Sequence, residues 1–371
     1  MTNKTLIAVS ICASLMAASS AWAQDTTVIH AGHLLDVPGT APKSNQTIVI
    51  VDGKVVQIMP GFVPASEVAG AAKNVTFHDL SEYFVLPGLI DGHVHLLSEQ
   101  NPQGRLQNVQ MSEADRAMYG AKHASVTLQA GFTTVRDVGA GSSDAIFALR
   151  DGIAKGWIEG PRLFASGATI SVTGGHGDGT QGYRDDIAHV MHSTGVCNGV
   201  AACRMAVREQ VRKGADHIKL TATGGVLSNT SAGTEQQFFE DELKAIMETA
   251  HSMGRKVTAH AHGVNGINAA LKAGVDSIEH GTYMDKQSVR LFKKHKAYLV
   301  PTLLAGATVV EWAEQPDTFL TPPQVEKALK VGPKMHDMAK LAHKSGVKIA
   351  FGTDSGVSRH GRNAREFALL V

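Results

Sequence analysis

Short apolar runs alternate with longer amphipathic stretches from residue 84 to the end of the chain. The runs at 84–95, 132–138, 162–167, 217–223, 256–262, 276–281, 297–303 and 347–354 are too short for helices and predict strands. The stretches at 112–130, 142–156, 201–214, 240–253, 264–273, 285–296 and 323–345 predict helices. Gly131, Gly254, Gly274 and Gly346 stand where helices end, and Ser112 and Asp241 stand where caps or first-turn acids belong. Eight strands alternating with seven helices predict an α/β fold, a (β/α)8 barrel over 86–371, rather than an open sheet. Residues 168–200, rich in Gly, Thr and His, fit neither pattern and predict a long loop over one barrel end. Ahead of the barrel, 26–29, 46–51 and 54–58 predict strands, with Asp52-Gly53 as a hairpin turn, so 24–85 is expected to form a small β module. The chain reaches Val371 inside the last expected helix, so a truncated barrel of poor stability is the expectation.

Composition changes this picture little. Lys4, an apolar run from Leu6 to Ala18 and Ala21-Trp22-Ala23 before Gln24 predict a secretory leader over 1–23, too short for a membrane span. The mature protein is then expected to be exported, periplasmic or secreted, with no membrane anchor. Losing Lys4 leaves Lys+Arg equal to Asp+Glu at 34 each, a balance that does not draw the chain to nucleic acid. Cys12 leaves with the leader, and the remaining pair, Cys197 and Cys203, predicts a local disulfide. The sequence leaves open whether the chain forms a homo-oligomer.

Barrel enzymes carry their chemistry at the C-terminal ends of strands. His93 and His95, two apart on a strand, leave it on one face. The fourth run gives Lys219, the fifth His260 and His262, the sixth His280 and the eighth Asp354. A lysine pointing into a barrel core is costly unless something neutralises it. Spacing alone does not say which of His260 and His262 is a ligand, and His217 shares a face with Lys219. The Gly-rich segments around His176 and after Thr223 suit close approach of a small ligand, and Arg136 follows the second strand as a carboxylate candidate.

The motifs Pro87-Gly88-Leu89-Ile90-Asp91-Gly92-His93-Val94-His95, Gly131-Phe132-Thr133-Thr134-Val135-Arg136-Asp137, Gly214-Ala215-Asp216-His217-Ile218-Lys219, His260-Ala261-His262-Gly263, Ile278-Glu279-His280-Gly281 and Gly352-Thr353-Asp354 carry a resemblance. The chain resembles the amidohydrolase superfamily, and within it the exported dipeptidase, prolidase-like and imidazolonepropionase-like group. The resemblance implies a distorted (β/α)8 barrel with a β-sandwich module that a C-terminal segment completes. It implies two divalent metal ions, for which zinc suits the ligands. His93 and His95 would bind one, His260 and His280 the other, and Lys219, carboxylated on its amine, would bridge them. The two metals would bridge a water and lower its pKa to roughly 7, with Asp354 as ligand and general base. His262, His176 and Arg136 would then contact substrate. The implied activity is hydrolysis of the C–N amide bond in a dipeptide or N-acyl amino acid. Alternatives are a cyclic amidohydrolase or a truncated, non-catalytic remnant. Export favours the peptidase.

Overall fold

The computed structural model describes residues 25–70, 72, 74–141, 143–191, 193–229 and 233–371, so the expected leader at 1–23 lies outside the described residues. The chain divides at Pro87 into two units. In the first, β1 (Asp25–Leu34), β2 (Lys43–Val51), β3 (Lys54–Pro60) and β4 (Asn74–Val85) form one sheet in the order β3-β2-β1-β4. The β2–β3 turn has positive φ at both Asp52 (48°) and Gly53 (76°), the twist a two-residue hairpin needs. A short helix, α1 (Ala65–Val68), precedes β4, which pairs in parallel with β1. The sheet buries Ala31, Leu34 and Ile48. Two points differ from expectation. The described residues of this unit form a single sheet rather than two facing ones. The run expected as one strand over 84–95 is cut at Leu86-Pro87-Gly88, because proline supplies no N–H to a ladder.

The second unit, Gly88–Val371, holds eight parallel strands. β5 (Leu89–Val94), β6 (Phe132–Asp137) and β7 (Arg162–Ala165) form one sheet in that order. β8 (His217–Thr221), β9 (Lys256–Ala261), β10 (Ser277–His280), β11 (Tyr298–Val300) and β12 (Lys348–Ile349) form another. Backbone hydrogen bonds cross both breaks. Asp216 donates to Ala165 O at 2.9 Å and Ile170 bridges Leu220 on one side; Gly92 donates to Phe351 O at 2.9 Å and Asp354 to His93 O at 2.7 Å on the other.

Between the strands run α2 (Gly104–Gln110), α3 (Glu113–Gln129), α4 (Ser143–Ala154), α5 (Asp185–Val190), α6 (Val200–Lys213), α7 (Glu240–Ser252), α8 (Val264–Ala273), α9 (Lys286–His295), α10 (Leu303–Ala313), α11 (Pro322–Lys344) and α12 (Arg365–Leu370). Gly131, Gly254, Gly274 and Gly346 all take left-handed φ, between 67° and 99°, directly after helices. Ser112 caps α3, its hydroxyl accepting from Asp115 N. The sequence does not predict α10. It is apolar almost all round and buries Leu303, Leu304, Ala305, Gly306 and Val309, so it lacks the one-sided pattern by which a helix is recognised. The segment 168–200 is irregular apart from α5, and a disulfide between Cys197 and Cys203 fastens its end to the first turn of α6.

Candidate active site

At the end of β5 the two-residue period sends His93 and His95 to one face. Each ring is fixed through Nδ1, which donates 2.7 Å to Glu279 Oε2 for His93 and 2.7 Å to Gly139 O for His95. Their Nε2 atoms then face Asp354 Oδ1, at 3.4 Å and 3.2 Å. That oxygen is buried and accepts no hydrogen bond among the described residues, so three ligand atoms converge on a space that hydrogen bonding does not explain. Burial works against the Asp354 carboxylate, but His93 and His95 hold its pKa well below the usual range.

The ends of β9 and β10 supply a second group, with ligand atoms of His260, His262 and His280 within 4.8 Å of one another. Here too one ring nitrogen of each is occupied. His262 Nδ1 donates to Thr282 Oγ1 at 2.8 Å, His280 Nδ1 to Thr302 Oγ1 at 2.7 Å, and His260 Nε2 to Gly224 O at 3.3 Å. Burial holds His260 and His280 well below the ordinary imidazole value and takes His262 to about 4, so all three are neutral, as metal ligands must be. His280, Thr302 and Asp354 also have left-handed φ, at 69°, 51° and 57°. Such strain in non-glycine residues persists only where the surroundings enforce it, and it collects at functional sites.

Lys219, in mid-β8, is 3% exposed, and its amine makes no hydrogen bond or ion pair among the described residues. Burial lowers its pKa to about 8. One cavity of about 260 Å³ is lined by Lys219, His93, His95, His260, His262, His280, His176 and Asp354, so all six expected ligands meet there. The donor set, the orphaned carboxylate oxygen and the unpaired buried lysine fit divalent metal ions.

Other expectations fare differently. His176 lines the cavity, its Nδ1 2.6 Å from Ser228 Oγ, and burial lowers its pKa to about 3, so it meets a ligand as a neutral ring. His217 makes no hydrogen bond to Lys219, and its Nε2 is buried without a partner among the described residues. Arg136, expected to face a substrate carboxylate, does not line the cavity. Its guanidinium donates to Gly92 O at 2.6 Å, Ser277 Oγ at 3.2 Å and Glu279 Oε1 at 2.9 Å. A buried carboxylate at the centre of β10 claims it first.

Glu279 itself escaped the sequence reading as a functional residue. Its signal was a carboxylate beside His280 within a run too short and apolar to leave it in solvent. Burial alone would raise its pKa, but Arg136 and His93 keep it well below the usual range. A third cluster, Glu99, His123 and His360, also escaped notice. The rings of His123 and His360 stack at 4.1 Å with planes only 20° apart. Lone pairs in two nearly parallel ring planes do not converge on one ion, and we assign no metal there.

Comparison with known proteins extends the match beyond the site. The sequence profile of the amidohydrolase family matches residues 84–371. The ochratoxinase of Aspergillus niger is 32% identical over 352 residues, covering 89% of this chain and 69% of that protein. A Xaa-Pro dipeptidase solved with methionine in its active site is 40% identical with a TM-score of 0.84, over 93% of this chain and 83% of that one. A prolidase complexed with N-methylphosphonate-L-proline is 30% identical with a TM-score of 0.80, over 93% and 82%. Sequence, fold and strand-end residues agree: the chain belongs to the amidohydrolase family and is a hydrolase.

Proposed function

We propose that this chain is a two-metal hydrolase built on a (β/α)8 barrel, and that it cleaves the amide bond of a dipeptide or N-acyl amino acid. The observation that carries the reading is Lys219, whose amine is buried with no ion pair among the described residues in the cavity that gathers both histidine groups. Its lowered pKa favours the neutral amine, the form from which a carbamate is made. As a carbamate it would bridge one ion held by His93, His95 and Asp354 and a second held by His260 and His280. Ring geometry supports His260 over His262 in the second position. The His260 and His280 rings are inclined by 71° with centroids 4.6 Å apart, whereas those of His262 and His280 lie within 16° of parallel. His262 is then left for substrate or for support.

Two divalent ions, for which zinc suits the donors, would supply an activated water and polarise the scissile carbonyl. Asp354, kept ionised by the two histidines, takes the proton of the attacking water and delivers it to the leaving nitrogen. Val226, Leu227, Ala305, Val309, Val331 and Met335 form an apolar wall of the same cavity and receive an uncharged side chain of the substrate. Gly306 lets Met335 pack closely against α10 in that wall, since a Cβ there would lie 2.4 Å from Met335 Sδ. The cavity falls below the usual 300–1,000 Å³ of ligand pockets, which favours a small substrate. A leader at 1–23 would place the enzyme among extracytoplasmic peptides.

The test is metal analysis with a substrate screen. Purified protein should hold about two divalent ions and hydrolyse members of Xaa-Pro, Xaa-Arg/Lys or N-acyl amino acid panels, with loss of activity on chelation. Lys219→Ala should lose metal and at least a hundredfold in rate. Two ions and full activity in that variant, or no turnover of any panel by wild type, would reject the reading.

A further inference from the structure

A second cavity of about 360 Å³ adjoins the first, and Ser98, Gln100, His176 and Leu227 line both. Arg105 on α2 and Arg116 on α3 line the second cavity alone. Arg105 donates to Gly182 O at 3.3 Å and lies over the Tyr183 ring at 4.6 Å. Arg116 donates to Asn108 O at 3.3 Å and to Asn108 Oδ1 at 3.4 Å. Neither has a carboxylate within 4.0 Å among the described residues, and their hydrogen-bond acceptors are neutral and at long range. Glu99 and Asp178 also line this cavity, but Glu99 Oε2 accepts from His360 N at 3.0 Å, and Asp178 accepts from Gly174 N at 2.8 Å and Thr180 N at 3.0 Å.

Among the described residues, the first cavity offers a substrate carboxylate no free cation. Lys219 is committed to the proposed metals, His176 Nδ1 is engaged by Ser228 Oγ at 2.6 Å, and Arg136 is bound to Glu279. Two guanidiniums without an acidic partner among the described residues line the adjoining cavity. We infer that the adjoining cavity is an anion subsite, in which Arg105 and Arg116 bind the carboxylate that ends the leaving half of the substrate. The substrate then spans both cavities. Its apolar side chain lies against the wall of the first, and its carboxylate lies in the second, past the shared residues Ser98 and His176. Arginine suits this task because its planar donors match a carboxylate and it remains charged at any working pH. The inference rests on the amide-hydrolase reading and adds direction to it: an uncharged acyl side and an anionic leaving side.

The experiment uses the full chain loaded with zinc and four substrates: leucyl-glycine, leucyl-glycylglycine and the C-terminal amide of each. Wild type should prefer the free acids by about tenfold in kcat/KM, expressed in KM, the size of one hydrogen bond to a charged group. In the Arg105→Gln/Arg116→Gln double variant the acid-to-amide ratio should fall toward one, and Arg105→Lys/Arg116→Lys should restore part of it. Equal use of acids and amides by wild type, or an unchanged ratio in the glutamine variant, overturns the subsite. Hydrolysis of other amides but none of these four also overturns it while the hydrolase reading stands. No hydrolysis of any amide removes that reading, and the subsite with it.

Discussion

Glu279 touches no proposed ion, yet both its oxygens are engaged in holding the site. Oε2 accepts from His93, and Oε1 accepts from Arg136, Ser277 Oγ and the closely approaching Thr258 hydroxyl. An acceptor on Nδ1 fixes the tautomer and direction of a ligating ring, and losing such a partner typically costs 10–100-fold in metal affinity. Glu279→Gln should therefore weaken metal retention by that factor in a chelator competition, and it would leave Arg136 without its ion-pair partner. Wild-type retention would mean that packing alone orients His93. At this scale the sequence was informative about residue types and silent about directions. His93, His95, Lys219, His260, His280 and Asp354 stood out because strand period and strand ends place them. Which ring nitrogen is free depends on partners from 20 to 186 residues away in the chain, and Arg136 turns to a glutamate 143 residues away.

Among elements, the helices that announced themselves were those with a polar face and a glycine stop. The first turn of α10 shows what such patterns omit, because its cap comes from elsewhere. Leu303 N and Leu304 N donate to Glu366 of α12 at 2.9 Å and 2.6 Å. Glu366 is fully buried, and burial, outweighing those two donors, raises its pKa to about 7. The folded chain thus binds this proton more tightly than the unfolded chain. The resulting stability is complete below about 4.5 and is lost as pH rises through about 7. The amount at stake is on the order of 3 kcal/mol. Thermal melts of wild type should show stability declining across that window, with a smaller decline in Glu366→Gln. Identical pH dependence in both proteins would show that other groups control it.

For the whole molecule, eight strand-like runs were legible, but the unevenness of their joining was not. The last was expected over 347–354, yet only Lys348 and Ile349 keep ladder pairing, with Tyr298 and Leu299. Beyond them the chain leaves ladder geometry, and Asp354 adopts its left-handed turn. Beside the backbone hydrogen bonds from Gly92 to Phe351 O and from Asp354 to His93 O, the join between β5 and this segment rests on the buried Asp91 carboxylate. It accepts from His93 N at 3.0 Å, Thr353 N at 3.1 Å, Thr353 Oγ1 at 2.6 Å and Asn363 Nδ2 at 2.7 Å. An ion shared by His93, His95 and Asp354 would fasten the first strand to the last at this same seam. Chelation should then raise amide exchange at 91–95 and 351–355 well above that of β9 and β10, and a uniform rise would argue against the coupling. The consequence reaches past catalysis to abundance. In a metal-poor setting the chain would open at one predictable place and be cleared by proteases, so scarcity of the ion would be felt as scarcity of the protein.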